Sequence, residues 1–283
     1  MLQGARGWRN GTETTTASGV NNQMIRAQRI LFGMLVACTL SCAAAMTPVR
    51  AADMPVTVER MADRVLRSAT DLLKNAKSFR VTTNVSYDEV LLSGLTVQYS
   101  RYGSVTVRRP DRIFAQVTDD LGERQLWFDG KSITMYKPDR KVYARADVTG
   151  SIDDAVDTLH DKYGLAVPLA DILLNDPYAN LAEGVYAGFY AGLNLVNRER
   201  AHHLVFSNDA VDFQLWVAEK GNPVLKRVVI TFKNQEGSPQ WVSDFESWDF
   251  DVQTTDDIFD FTPPEGAEEI EFLPRVQATR DRQ

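Results

Sequence analysis

Three histidines, three Asp-Asp pairs and two cysteines are the residues of this 283-residue chain best suited to chemistry. His202 and His203 are adjacent in a stretch of strand-like periodicity, so their side chains point to opposite faces and cannot close on one metal. His160 lies in an amphipathic helical stretch, two residues after Thr158 and beside Asp161, with no convergent set of ligands around it. The pairs Asp119-Asp120, Asp153-Asp154 and Asp256-Asp257 sit at turns or helix starts, where aspartate caps backbone N–H groups. A glycosidase would instead need two carboxylates facing each other across a cleft. No Gly-x-Ser-x-Gly, Walker-type or dinucleotide-binding glycine loop occurs. Both cysteines, Cys38 and Cys42, fall in the N-terminal segment, which leaves the rest without a thiol nucleophile, a thiolate metal site or a disulfide. The expectation is a protein that catalyses nothing and uses no cofactor or metal.

The N-terminal segment is itself informative. Residues 1–23 are rich in Gly, Thr and Asn and lack apolar periodicity. Arg26 and Arg29 then precede an apolar run from Ile30 to Leu40, followed by small residues with cleavage patterns after Ala45 and Ala51. This is the layout of an export signal, too short for a span of ~20 residues. Translation is expected to start at Met24, with residues 1–51 forming an extension and signal peptide and 52–283 one periplasmic domain. A lipid anchor at Cys38 is the alternative, since Leu35-Val36-Ala37-Cys38 resembles a lipoprotein-processing site. Residues 1–51 carry five Arg and one Glu, so the remainder holds 26 Lys and Arg against 37 Asp and Glu, a net charge of about −11. Such a surface repels phosphate backbones, which argues against a nucleic-acid partner, and disfavours anionic lipid headgroups.

Elements that could position a site follow from periodicity. Residues 57–77 place Val58, Met61, Val65, Leu72 and Leu73 near one helical face. From Phe79 the period becomes two, and six strands follow with turns at Ser93-Gly94, Arg109-Pro110-Asp111, 119–122, Asp129-Gly130 and Lys137-Pro138-Asp139. Asp-Gly supplies two positive-φ positions and Pro-Asp opens a type I turn. Consecutive strands without helices between them imply an antiparallel meander. Residues 151–184 then read as helices: Ser151 caps the first, Gly164 ends it, Pro168 starts the next and Pro177 divides it. Five further strands run from 185 to 250. The fold class is mainly β with α, a single domain with its core over 57–272 and about eleven strands.

The apolar faces carry the remaining signal. Ile113, Ala115 and Val117 share one face, as do Phe213, Leu215 and Val217, and Val228, Ile230 and Phe232. In 126–145, Leu126, Phe128, Ile133 and Met135 add further bulk. One long antiparallel sheet buries such a face by closing, by pairing with another sheet, or by taking a cover. The helices at 57–77 and 151–184 could fill a dry core or form a lid over a cavity for a lipid chain.

Val107-Arg108-Arg109-Pro110, the FDGKSITMYKPDRKVY segment and Phe259-Asp260-Phe261-Thr262-Pro263-Pro264-Glu265-Gly266 together resemble the LolA/LolB-like lipoprotein-carrier superfamily. Within it the chain is most similar to a family of predicted periplasmic proteins. The hairpin at Trp216 to Leu225 is similar to that superfamily's late hairpin. The resemblance implies a single curved antiparallel sheet, an incompletely closed barrel with a helix and a helical lid over its opening. It implies a monomeric carrier or sensor of a lipid, a lipoprotein acyl chain or another amphiphile, outer membrane biogenesis being the setting. Its concavity would be lined by Ile113, Val117, Leu126, Phe128, Ile133 and Met135, with Arg109 as the lid latch. The insertion is longer and more acidic than a carrier lid, with Asp153, Asp154, Asp157, Asp161 and Asp171. The alternative is an envelope interaction or regulatory protein, its sheet filled by its own lid, that binds a protein partner.

Overall fold

The computed structural model describes residues 57–165 and 169–272, so the export signal, the Cys38 alternative and Pro168 lie outside the described residues. An amphipathic helix, α1 (Arg60–Asn75), leads into a meander of six strands. These are β1 (Ser78–Val90), β2 (Thr96–Arg108), β3 (Arg112–Asp119), β4 (Gly122–Phe128), β5 (Ser132–Lys137) and β6 (Val142–Asp147). Three helices follow: α2 (Ile152–Asp161), α3 (Ala170–Leu173) and α4 (Pro177–Ala182). A second meander comprises β7 (Ala187–Val196), β8 (Glu199–Ser207), β9 (Val211–Ala218), β10 (Leu225–Phe232) and β11 (Gln240–Asp249). A short β12 (Glu268–Ile270) ends the described chain.

Among the described residues the twelve strands form one unclosed sheet, ordered β12-β6-β5-β4-β3-β2-β1-β11-β10-β9-β8-β7. The two meanders join where β1 pairs antiparallel with β11. The sheet is not wholly antiparallel, because β12 returns to run parallel to β6. This order explains the insertion. Strands β6 and β7 sit near opposite edges of the sheet, so the chain linking them has to cross a face. Side chains of α1, α2 and α3 share one core with β1, β3, β4, β5 and β8–β11, including Leu66, Leu73, Phe79, Phe128, Ile152, Leu159, Leu204 and Leu215.

Local chemistry accounts for several boundaries. Ser151 Oγ accepts from the Asp154 N–H while the Asp154 carboxylate accepts from the Ser151 N–H, a reciprocal cap that starts α2. Asp176 caps α4, whose first residue is Pro177. Helix α1 buries Ala62, Val65, Leu66, Ala69 and Leu73. Met61, expected on that face, is exposed, and Val58 precedes the helix in a bridge to Gly188. The Asp129-Gly130 turn also differs from expectation. Only Gly130 has positive φ, while Asp129 Oδ1 accepts from the N–H groups of Lys131 and Ser132. The pair of left-handed residues occurs instead at Asn197 and Arg198, between β7 and β8.

The face of the first meander turned away from α2 has its own cover. Phe261 packs on Trp127, Tyr136 and Tyr143, with ring centroids 4.9–5.7 Å away. Arg108 donates to Thr254 O, pairs with Asp256 and lies over the Phe259 ring. Phe259 is fully buried. Replacing it with alanine leaves a ring-sized void, so Phe259→Ala is expected to cost about 3–5 kcal/mol in a urea unfolding curve.

Candidate functional site

Between the sheet and the helical insertion lies an apolar cavity of about 140 Å³. Its floor is the alternating face of β1 to β5, with Val81, Val105, Ile113, Ala115, Val117, Leu126, Phe128 and Ile133. Its roof is Ala155, Val156 and Leu159 of α2 with Leu169, Ile172 and Leu173 at α3. Period-two alternation brings Ile113, Val117, Leu126, Phe128 and Ile133 together as the sequence suggests. Met135 pairs with Leu126 on the same face but lies beyond the lining. The roof residues were not singled out in the sequence. Trp241 and Phe245 of β11 and Arg101 of β2, which also line the cavity, were missed as well. Alternation in β11 could have flagged the two aromatics, but not that β11 lies next to β1.

Arg109 follows β2 directly and ties the β2–β3 turn to the ends of α1 and α3. Its Nε donates to Leu73 O in the last turn of α1 at 3.3 Å, and its Nη1 donates to Leu173 O at the end of α3 at 2.9 Å. The same Nη1 is 3.4 Å from Asn175 Oδ1, and the Asn175 N–H donates to Asp153 of α2. Helix C-termini expose unpaired carbonyls and partial negative charge, so a guanidinium suits both ends. Burial presses the arginine's pKa down from its ordinary value, and Asp153 partly offsets this. The insertion is held at its rim by further polar contacts. Tyr178 donates to Asp63 and accepts from Arg67, while Lys74 meets Asp176 at 2.7 Å. The Ile152 N–H donates to Pro110 O in the β2–β3 turn.

A smaller cavity of about 70 Å³ lies under the other end of the insertion, lined by Leu181, Phe213, Leu215, Val228, Ile230 and the Asp171 side chain, among others. Burial raises the Asp171 pKa, opposed by a hydrogen bond from its own N–H and reinforced by Glu183.

The histidines do not converge. His202 meets the Tyr190 hydroxyl, whereas His203 meets Gln214 and stacks on Trp216. His160 pairs with Asp161. Of the carboxylate pairs, Asp154 caps and Asp256 meets Arg108, while Asp119 does more than turn the chain: it also binds Arg124 and Arg101.

Comparison of the sequence with protein families matches residues 62–273 to DUF2092, described as predicted periplasmic proteins. The chain belongs to this family. No curated protein matches it. Solved structures similar to this DUF2092 protein include the lipoprotein LppX of Mycobacterium tuberculosis, with 17% identity and a TM-score of 0.42, covering 68% of this chain and 97% of that one. LprF of Mycobacterium bovis shares 13% identity with a TM-score of 0.43, covering 75% and 100%. A LolA superfamily protein from Nitrosomonas europaea shares 10% identity with a TM-score of 0.36, covering 71% and 97%. The family match agrees with the resemblance to a family of predicted periplasmic proteins.

Two outcomes follow for the lid. Arg109→Ala removes hydrogen bonds that charge makes stronger than average, so amide exchange in 152–182 should accelerate roughly 10- to 100-fold with the sheet unchanged. For Asp171, the folded carboxyl keeps its proton above the ordinary value of 3.8. The folded state therefore binds more protons than the unfolded one just above that value, and stability falls as pH rises through the interval. Asp171→Asn should raise the urea midpoint at neutral pH, with the gain vanishing in acid below the ordinary value.

Proposed function

We propose that this is a periplasmic, non-catalytic binding protein that holds the apolar chain of a lipid, a lipoprotein or another amphiphile between its sheet and its lid. The observation carrying this reading is the cavity between sheet and insertion, lined almost wholly by apolar side chains. Ligand sites are concave and largely apolar with a few placed polar groups, and this one fits that description. Each CH2 buried there contributes ~0.8 kcal/mol, so a chain of modest length binds well without a charged partner.

The volume defines the state. A void near 150 Å³ accepts a molecule on the scale of benzene, and the cavity here is about 140 Å³. A full acyl chain needs more room, which displacement of Leu159, Ile172 and Leu173 would provide. The described conformation is then the closed one, in which lid side chains occupy much of the ligand's place. Latches of polar groups at the rim suit such exchange, because they re-form with water when the lid leaves.

The same small volume favours a second reading, an envelope interaction protein whose domain is filled by its own lid and which binds a protein partner. Native mass spectrometry of protein taken from the periplasm separates the two. A co-purifying acyl species, displaceable by a fluorescent fatty probe, is expected for the first, and repeated ligand-free spectra with no probe binding for the second. Ala115→Phe fills the cavity from its floor. It should reduce probe affinity at least about tenfold, with the β signal in circular dichroism retained; unchanged affinity would place the ligand elsewhere.

A further inference from the structure

One end of the cavity is not apolar. Arg101, Trp241 and Ser243 are interior residues whose Nε, Nε1 and Oγ have no hydrogen-bond partner among the described residues. Arg101 and Trp241 line the cavity, and Ser243 lies between Trp241 and the lining residue Phe245 on the same face of β11. Trp241 is 3% exposed and Ser243 0%. Buried donors are nearly always paired, and three without a partner among the described residues, on the two strands that flank β1, call for an explanation.

Neighbouring groups do not supply one. The Arg101 guanidinium packs beside two rings that stack on each other, 4.7 Å from the Tyr87 centroid and 5.3 Å from that of Trp241. Its ion pair with Asp119 is loose, at 3.7 Å, because Arg124 and the Leu121 N–H already engage that carboxylate. Two arginines against one aspartate leave this end with a single positive charge facing inward. Fixed by aromatic faces but short of an acceptor, Arg101 is preorganised for an oxyanion.

Strand β2 relates this end to the lid latch. Residues 101, 103, 105, 107 and 109 point to one side, so Gly103, Val105 and Val107 form an apolar row between two inward arginines. The eight residue steps from 101 to 109 span roughly 26 Å of extended chain. One leaflet of a bilayer core is about 15 Å thick, so an acyl chain fits within that row.

We propose that Arg101, with the Trp241 N–H and Ser243 hydroxyl, is the head-group subsite for an amphiphile with an oxyanion head, a carboxylate or a phosphate, whose chain runs towards Arg109. This rests on the amphiphile-binding reading above and adds the polarity and direction of the ligand.

The test measures affinities of the purified protein for hexadecanoate, hexadecyl phosphate and neutral hexadecanol at neutral pH. At least one anion should bind about tenfold or more tightly than the alcohol, and the preferred anion identifies the head. Arg101→Gln should bring that preference within about twofold, chiefly by weakening the anion. Trp241→Phe keeps the ring and removes the N–H, and should cut the anion's affinity several-fold more than the alcohol's. Equal binding of alcohol and anions by the wild type overturns the subsite but leaves the cavity reading standing, as does a preference that survives Arg101→Gln. If Arg101→Gln fails to fold, the wild-type ratio and Trp241→Phe decide. Binding of none of the three overturns the amphiphile reading and the subsite with it.

Discussion

A twelve-stranded sheet that does not close leaves one long apolar face to be covered by something other than more sheet. Everything else in the molecule answers to that requirement. Because β6 and β7 lie near opposite edges, the connection between them must cross the face, and its helices become the cover. Helix α1, entering at the middle of the sheet through β1, shares that side and gives the insertion something to lean on. The cavity sits where the cover spans the first meander and its side chains do not quite meet the floor.

Two neighbouring arginines divide the work of holding covers in place. In an extended strand consecutive side chains point to opposite sides. Arg108 therefore binds the segment 254–259 on one side, and Arg109 binds the ends of α1 and α3 on the other. The two covers differ in kind. The outer one is aromatic, with Phe261 among three rings and Phe259 buried, and such contacts are lost outright when separated. The inner one joins the apolar core through Ile152, Leu159, Ile172 and Leu173 and adds ion pairs and hydrogen bonds at its rim, of which the exposed ones contribute little individually because water replaces them.

The floor of the site was legible in advance at several named positions. Ile113, Val117, Leu126, Phe128 and Ile133 alternate within strands whose turns announce themselves, so they fall on one face wherever the sheet goes. Arg109 was found only through the resemblance of its Arg-Pro turn, since an arginine at a strand end has many ordinary roles. Met135 shares the face but lies just beyond the lining, because periodicity gives a face and not the extent of a void. Asp129-Gly130 was misjudged because the Asp129 side chain satisfies the turn in place of a second left-handed residue.

Arg101, Trp241 and the roof residues were out of reach for a different reason. Arg101 and Trp241 are 140 positions apart in the sequence and become neighbours only through the pairing of β1 with β2 and β11. The sequence alone determined the strands of the two meanders, their apolar faces and that the central connection is helical, because those depend on contacts a few residues long, whereas the short parallel β12 depends on its partner β6. Only the tertiary structure decided that β1 joins two meanders, that a cavity remains beneath the lid, and that one end of it carries donors without a partner among the described residues. Those features arise from pairings across the whole chain, which local periodicity does not encode.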